Sequence, residues 1–198
     1  MQQRSKDTRN HIIESAVALF CDAGYEAASV ADICIRAGVS KGAFYHHFPS
    51  KQSLFLAILD DWLTGIDDQL FSSATPSGDV PASIQDMAET LGFVLNEASG
   101  RLPIFMEFMV QASRDHAVWD AAIQPYRRYQ DRFAGLIASG QESGSINENV
   151  DPRIAARVLV SLAVGILLQA VVDPESADWD KVTSEGISMI TQSMKRSS

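Results

Sequence analysis

Lys41, Tyr45, His46 and His47 stand within one short segment, KGAFYHHF, together with Phe44 and Phe48. A cation, a phenol and two imidazoles can donate hydrogen bonds, but their spacing argues against a metal centre. The four histidines, His11, His46, His47 and His116, include no i, i+4 pair, and adjacent His46 and His47 point to different sides of a helix. No G-x-S-x-G, H-E-x-x-H or phosphate-binding glycine loop occurs, so no catalytic residue, cofactor or metal is expected. At ~100° per residue, Phe44 and Phe48 share one face while Gly42 and His46 project from the other, flanked by Ala43 and Tyr45. Two aromatic anchors behind a small, hydrogen-bonding face suit insertion into a major groove. The small residues permit close approach, Ala43 can meet a thymine methyl, and Lys, Tyr and His reach phosphates or base edges.

The neighbouring residues are those needed to hold such a helix. Ser40 can cap it, with Val39 and Phe44 spaced as a hydrophobic staple. Before it, Ser29 and Asp32 form an S-x-x-D capping signal for another short helix carrying Val30, Ile33 and Arg36. Gly38 falls where the connecting turn asks for a left-handed residue. A first helix is expected over about Thr8–Ala23, closed by Gly24, and residues 1–7 read as a flexible arm carrying Arg4 and Lys6. Lys51 opens the following helix, where its cation and free backbone N–H groups can meet a phosphate.

Gly24-Tyr25, Ser29-Val30-x-Asp32-Ile33, Ala37-Gly38-Val39-Ser40-Lys41-Gly42, Phe44-Tyr45-x-His47-Phe48 and Ser50-Lys51, in order and without gaps over roughly residues 8–60, resemble the TetR family of bacterial transcription regulators. The resemblance implies a helix-turn-helix head over 1–50 and an effector-binding and dimerisation domain over 51–198. It further implies a homodimer on palindromic double-stranded operator DNA and release by a small-molecule effector moving the fourth helix as a lever. Carried onto this chain, Lys41, Gly42, Tyr45, His47 and Lys51 match positions that contact backbone or base edges. His46 occupies a variable, specificity-setting position. Ser29 matches a helix start that often touches phosphate, and Arg36 and Ser40 complete the DNA-binding set.

Composition alone would not suggest DNA. The 198 residues carry a net charge of −9. Residues 1–55 hold six Lys/Arg against five acids, a net +1, and the remainder ten against twenty, a net −10. The acidity therefore lies outside the proposed reader, whose modest charge calls for two copies and salt-sensitive binding. Cys21 and Cys34 sit among apolar residues and read as small core residues rather than a disulfide. The polar start MQQRSKDTRN leads to no expected signal peptide, and a reducing cytoplasm is the expected setting.

The fold class expected is all-α, with about nine helices. The fourth runs to about Leu70, SSATPSGDVP over 72–81 is a loop, and an apolar stripe from Ile84 through Leu91, Val94 and Leu95 to Ala98 ends at Gly100. Pro103 should begin a buried helix, and Pro125 should kink or break the one over His116–Ser139. Phe105, Met106, Phe108, Met109, Trp119, Tyr126 and Tyr129 are candidate lining for an apolar effector pocket, with Gln169 as polar handle. Core packing is the competing reading for each, and Glu107 would also permit a cationic effector. The segment Ile154–Val172 is apolar on nearly every side. Its uninterrupted part, Val158–Val172, is short for a membrane span and contains Ser161 and Gln169. It therefore reads as a helix with two buried faces, one in a dimer. The interface expected there uses Leu162, Val164, Leu168, Val171, Val172, Trp179, Ile190 and Met194. An activator on the same scaffold and a helical protein–protein adaptor are the rival functions.

Overall fold

A computed structural model describes residues 2–73 and 78–196, with the side chains at 2, 3, 73, 89 and 91–100 outside the description. Eight helices are found among the described residues: α1 (Gln2–Ala23), α2 (Val30–Ala37), α3 (Lys41–His47), α4 (Lys51–Ser73), α5 (Val80–Ala112), α6 (His116–Glu142), α7 (Pro152–Val172) and α8 (Trp179–Met194). The only β element among the described residues is an isolated bridge between Ile146 and Lys195. The class is all-α, as expected.

Packing divides the chain into two compact units, Met1–Leu63 with Gly100–Ile123, and Thr64–Ser99 with Gln124–Ser198. The first is assembled around fully buried Ile12, Phe20, Ile33, Phe44, Leu54 and Phe108. Phe20, Tyr25, Phe55 and Phe108 form a connected aromatic cluster, with Phe55 stacked on Phe108 at 4.1 Å between centroids. The second has its own core of Ile84, Ile137, Ile146, Ala156, Leu159, Ile187 and Met194. The boundary expected at residue 50 divides labour, reader from regulator, and in that sense it remains a proposal. The packing units are drawn differently, because α5 returns Leu102–Ala112 to the head's core.

Several local expectations are corrected. The arm over 1–7 is helical from Gln2, since Gln, Arg, Lys and Asp contain no breaker and Thr8 Oγ1 bonds back to Arg4 O at 2.9 Å. Gly100 and Pro103 do not separate two helices. α5 runs through both for 33 residues, with Leu102, Ile104 and Phe108 buried beside an exposed Pro103, so burial outweighs the one hydrogen bond that Pro deletes. Of the kink or break expected at Pro125, the break is excluded: the residue is buried and α6 runs on through it. Of the expected loop at 72–81, residues 74–77 fall outside the described residues, while its ends are helical instead, 72–73 in α4 and 80–81 in α5. The side chains of the stripe at Leu91, Val94, Leu95 and Ala98 also lie outside the description.

α7 is long and apolar enough to cross a membrane on composition alone. Here it packs Ala155, Ala156 and Leu159 into the second unit's core, and Val160 and Ile166 are buried as well.

Candidate nucleic-acid interface

The reading segment is held by caps at each helix start. Ser29 and Asp32 close a reciprocal capping box on α2: Asp32 N donates to Ser29 Oγ at 3.2 Å, and Ser29 N donates to Asp32 Oδ2 at 3.2 Å. The serine hydroxyl also donates to that carboxylate, and these bonds hold the Asp32 pKa below its ordinary value. Gly38 ends α2 at φ +62°, a left-handed conformation in which its N–H bonds to Ile35 O at 3.2 Å. Ser40 caps α3, its Oγ accepting from Ala43 N at 3.1 Å. Ser50 and Ser53 exchange hydrogen bonds at the start of α4, with Ser50 Oγ accepting from Ser53 N at 3.0 Å and Ser53 Oγ from Ser50 N at 2.9 Å.

α3 presents the face expected of it. Phe44 is wholly buried and Phe48 nearly so, their rings 6.0 Å apart, while Lys41, Gly42, Tyr45 and His46 are exposed. A Cβ on Gly42 would have only Ser40 Oγ, at 3.7 Å, within contact range, so the protein itself leaves that approach open. Ala43 and His47 are half-buried. Burial pushes the His47 pKa down, and the nearby His46 and Arg9 charges push it the same way.

Lys51 has partners within the head. Its ammonium donates to Tyr25 O at 2.8 Å, Ala28 O at 2.9 Å and Glu26 O at 3.2 Å, and lies 4.4 Å from the Tyr25 ring centroid. All three donors are thus committed to the turn between α1 and α2, and burial lowers the pKa of the amine. A phosphate contact by that side chain would have to break this set. Two other members of the DNA-binding set also have internal duties. Arg36 pairs with Asp22 on α1 at 2.7 Å, and Ser29 spends its N–H and hydroxyl on the capping box. Lys41, Gly42, Ala43, Tyr45 and His46 on α3 form the compact outward patch, with His47 at its edge and Ser40 at its cap.

The effector set is scattered. Phe108 is fully buried in the head core, stacked on Phe55 and edge-on to Tyr25, so it is packing rather than lining. Phe105 and Met109 pack against the same core, and Met106 and Trp119 are exposed. Phe105 does wall a cavity of about 30 Å³ with Val17, Phe20, Ile58, Trp62 and Ile104, and Trp62 Nε1 is buried with no acceptor among the described residues. Gln169 is exposed and donates to Gly165 O of its own helix. Glu107 accepts from two backbone amides and is therefore not waiting for a cation.

Tyr126 is exposed, and Tyr129 is half-buried, its phenol pKa raised by burial and by Asp67. Beside them in the second unit stands a group that periodicity did not single out. Arg132 pairs with Asp67 and sits 3.7 Å over the Phe71 ring, which in turn lies 5.3 Å from Phe133.

Of the expected dimer face, Val164, Leu168 and Val172 are exposed, while Leu162, Val171, Trp179 and Ile190 are half-buried. Met194 is a correction: at 3% exposure it belongs to the core of the second unit. Cys21 is also corrected, being exposed, whereas Cys34 is buried. Among the described residues no three His, Cys, Asp or Glu side chains converge as for a metal.

Two capped helices at a left-handed turn, the second with an outward hydrogen-bonding face, on an otherwise all-helical chain, define a helix-turn-helix transcription regulator. Comparison with known proteins agrees: residues 12–58 match the model for bacterial regulatory proteins of the TetR family, and residues 83–185 the C-terminal model of BetI-type transcriptional repressors. The chain belongs to the TetR family.

It is 29% identical to the A-factor receptor protein of Streptomyces griseus over 89% of this chain, though it spans only 60% of that relative's length. It is 26% identical to the transcriptional regulator UidR of Escherichia coli, covering 84% of this chain and 83% of the other. Among solved structures, the complex of SmeT with triclosan, from the efflux-pump repressor of Stenotrophomonas maltophilia, aligns with a TM-score of 0.77 at 25% identity over 96% of this chain and 92% of that one. A regulator from Haloarcula marismortui shares the fold, with a TM-score of 0.81 at 20% identity over 96% and 100% of the two chains.

Proposed function

We propose that this chain is a cytoplasmic, ligand-responsive repressor that binds a near-palindromic operator as a homodimer, each subunit laying α3 in a major groove. The observation that carries the reading is the face of α3: Lys41, Gly42, Tyr45 and His46 outward on a helix pinned by Phe44 and Phe48. Lys41 and Tyr45 are assigned to phosphates, Gly42 and Ala43 to close approach, and His46 to base discrimination. Lys51 and Arg36 act by holding the head together.

Pairing of subunits is supported by the exposed stripe of α7, where Ile154, Val158, Val164, Leu168 and Val172 recur at helical spacing, with Val182 and Met189 exposed on α8. An apolar stripe of this length is costly in water and is covered by the same stripe on a second copy. Relatives named as an A-factor receptor and as a SmeT–triclosan complex support a small organic effector. Its proposed site is the second unit around Tyr126, Tyr129 and Phe133, with Arg132 and Asp67 as polar partners. Effector and operator then weaken each other by one and the same factor, with α4 as the lever.

The test is fluorescence anisotropy of the purified chain on duplexes selected from a random pool. Salt-sensitive binding to a palindromic consensus, lost in Tyr45→Ala, is the expected result. Failure to select any sequence would remove the reading head and favour a protein–protein adaptor.

A further inference from the structure

Glu107 stands on α5, 82 residues from Tyr25, and its carboxylate accepts two consecutive backbone N–H groups of the α1–α2 turn: Tyr25 N to Oε2 at 2.8 Å and Glu26 N to Oε1 at 2.7 Å. On the carbonyl side of the same residues, Lys51 accepts nothing and donates to Tyr25 O, Glu26 O and Ala28 O. The turn between the first and second helices is thereby gripped from both sides, its amides by α5 and its carbonyls by α4. Gly24 is what lets the carboxylate in: at φ +84° it adopts a conformation that side chains avoid, and a Cβ there would lie 3.1 Å from Glu107 Oε2. The next residue of α5, Phe108, meets the ring of Tyr25 edge-on at 5.3 Å, so polar and apolar contacts fix one register of α5 against the turn.

This turn is what leads into the capping box of α2, and through α2 into α3. We infer that Glu107 is a positioning residue for operator recognition: its two hydrogen bonds to Tyr25 and Glu26 set the geometry of the reading head from α5. It touches no DNA itself. The inference rests on the DNA-binding reading above for its consequence, but not for its geometry. Charge-assisted bonds to a carboxylate are among the stronger ones a backbone amide makes. Glutamine keeps the shape of the side chain but turns an NH2 donor toward one of two N–H donors, and aspartate keeps the charge but falls one methylene short.

Two readouts decide it. Backbone hydrogen exchange of the full chain without DNA should show the Tyr25 and Glu26 amides exchanging about tenfold faster or more in Glu107→Gln, with Ile137 and Ile187 in the second core unchanged. Operator affinity should fall by about tenfold in the same variant. The sign is diagnostic, because removing an acidic charge from a DNA-binding head would by Coulomb's law alone strengthen binding. Glu107→Asp should behave like Glu107→Gln, and it serves in its place should the glutamine variant fail to fold.

Wild-type exchange at both amides, or faster exchange with affinity unchanged or raised, overturns the inference. So does an aspartate variant that binds like the wild type, since it would trace the effect to charge. A wild-type chain that selects no operator would instead fail the proposed function, while the exchange measurement would still decide the clamp.

Discussion

Gly42 and Lys51 are neighbours on the same motif with opposite assignments, and substitution separates them. Gly42→Ala adds a methyl where the protein has open space and replaces the poorest ordinary helix former by the best, so stability should hold or rise by up to about 1 kcal/mol. Operator affinity should nevertheless fall, since the methyl occupies the approach to DNA. Lys51→Met should lower both quantities. It strips three carbonyls of a charged donor and should cost about 2 kcal/mol in urea denaturation, and operator affinity should fall as in Glu107→Gln because the same turn is loosened.

His47 adds a pH dependence. Its pKa is lower in the folded chain than its ordinary 6.5, so its contribution to stability is fully present above 6.5 and is lost as pH falls through the folded value. DNA phosphates favour the protonated ring, so anisotropy titrations should show tighter operator binding as pH drops from about 7.5 toward 6, and a flatter profile in His47→Gln.

At the scale of elements, the short reading helices were the legible part of the sequence. Ser29, Asp32, Gly38, Ser40, Phe44 and Phe48 each announce a local requirement (a cap, a left-handed turn, an anchor) that needs no distant residue for its meaning. Loss of one cap should show it: Ser40→Ala should cost about 1 kcal/mol and speed amide exchange at Ala43, the donor it leaves behind.

The contacts that sequence did not reveal are those whose meaning lies far along the chain. Lys51 read as a phosphate ligand because its carbonyl partners lie 23 or more residues earlier, and Glu107 as a spare charge because its amides lie over 80 residues away. α8 hides its inward face in another way. Its buried stripe is Thr183, Ile187, Thr191 and Met194, while Val182 and Met189 face out. The threonine hydroxyls bond to Trp179 O at 2.7 Å and Ser188 O at 3.1 Å within their own helix, which makes their burial tolerable and inverts the hydropathy pattern.

For the whole molecule, two substitutions in the second unit distinguish core from interface. Met194→Ala should lower stability by about 2–4 kcal/mol and leave the sedimentation coefficient of the folded chain unchanged. Val164→Glu with Leu168→Glu should yield folded monomers by ultracentrifugation, and operator affinity should collapse because a lone head holds only one half-site. The expected all-α class was readable because capping residues, glycines and 3.6-residue apolar stripes agree along most of the chain. The packing units were not, since nothing local marks α5 as belonging partly to the head.

The exposed stripe on α7 has a genetic consequence. On the proposed pairing, association is blind to the state of α3, so a Tyr45→Ala chain would be recruited as readily as an intact one. In a cell making both in equal amounts, about half of all dimers would carry one blind head and a quarter two, leaving a quarter competent. A damaged allele would therefore be dominant over the intact one, whereas a null allele would be recessive.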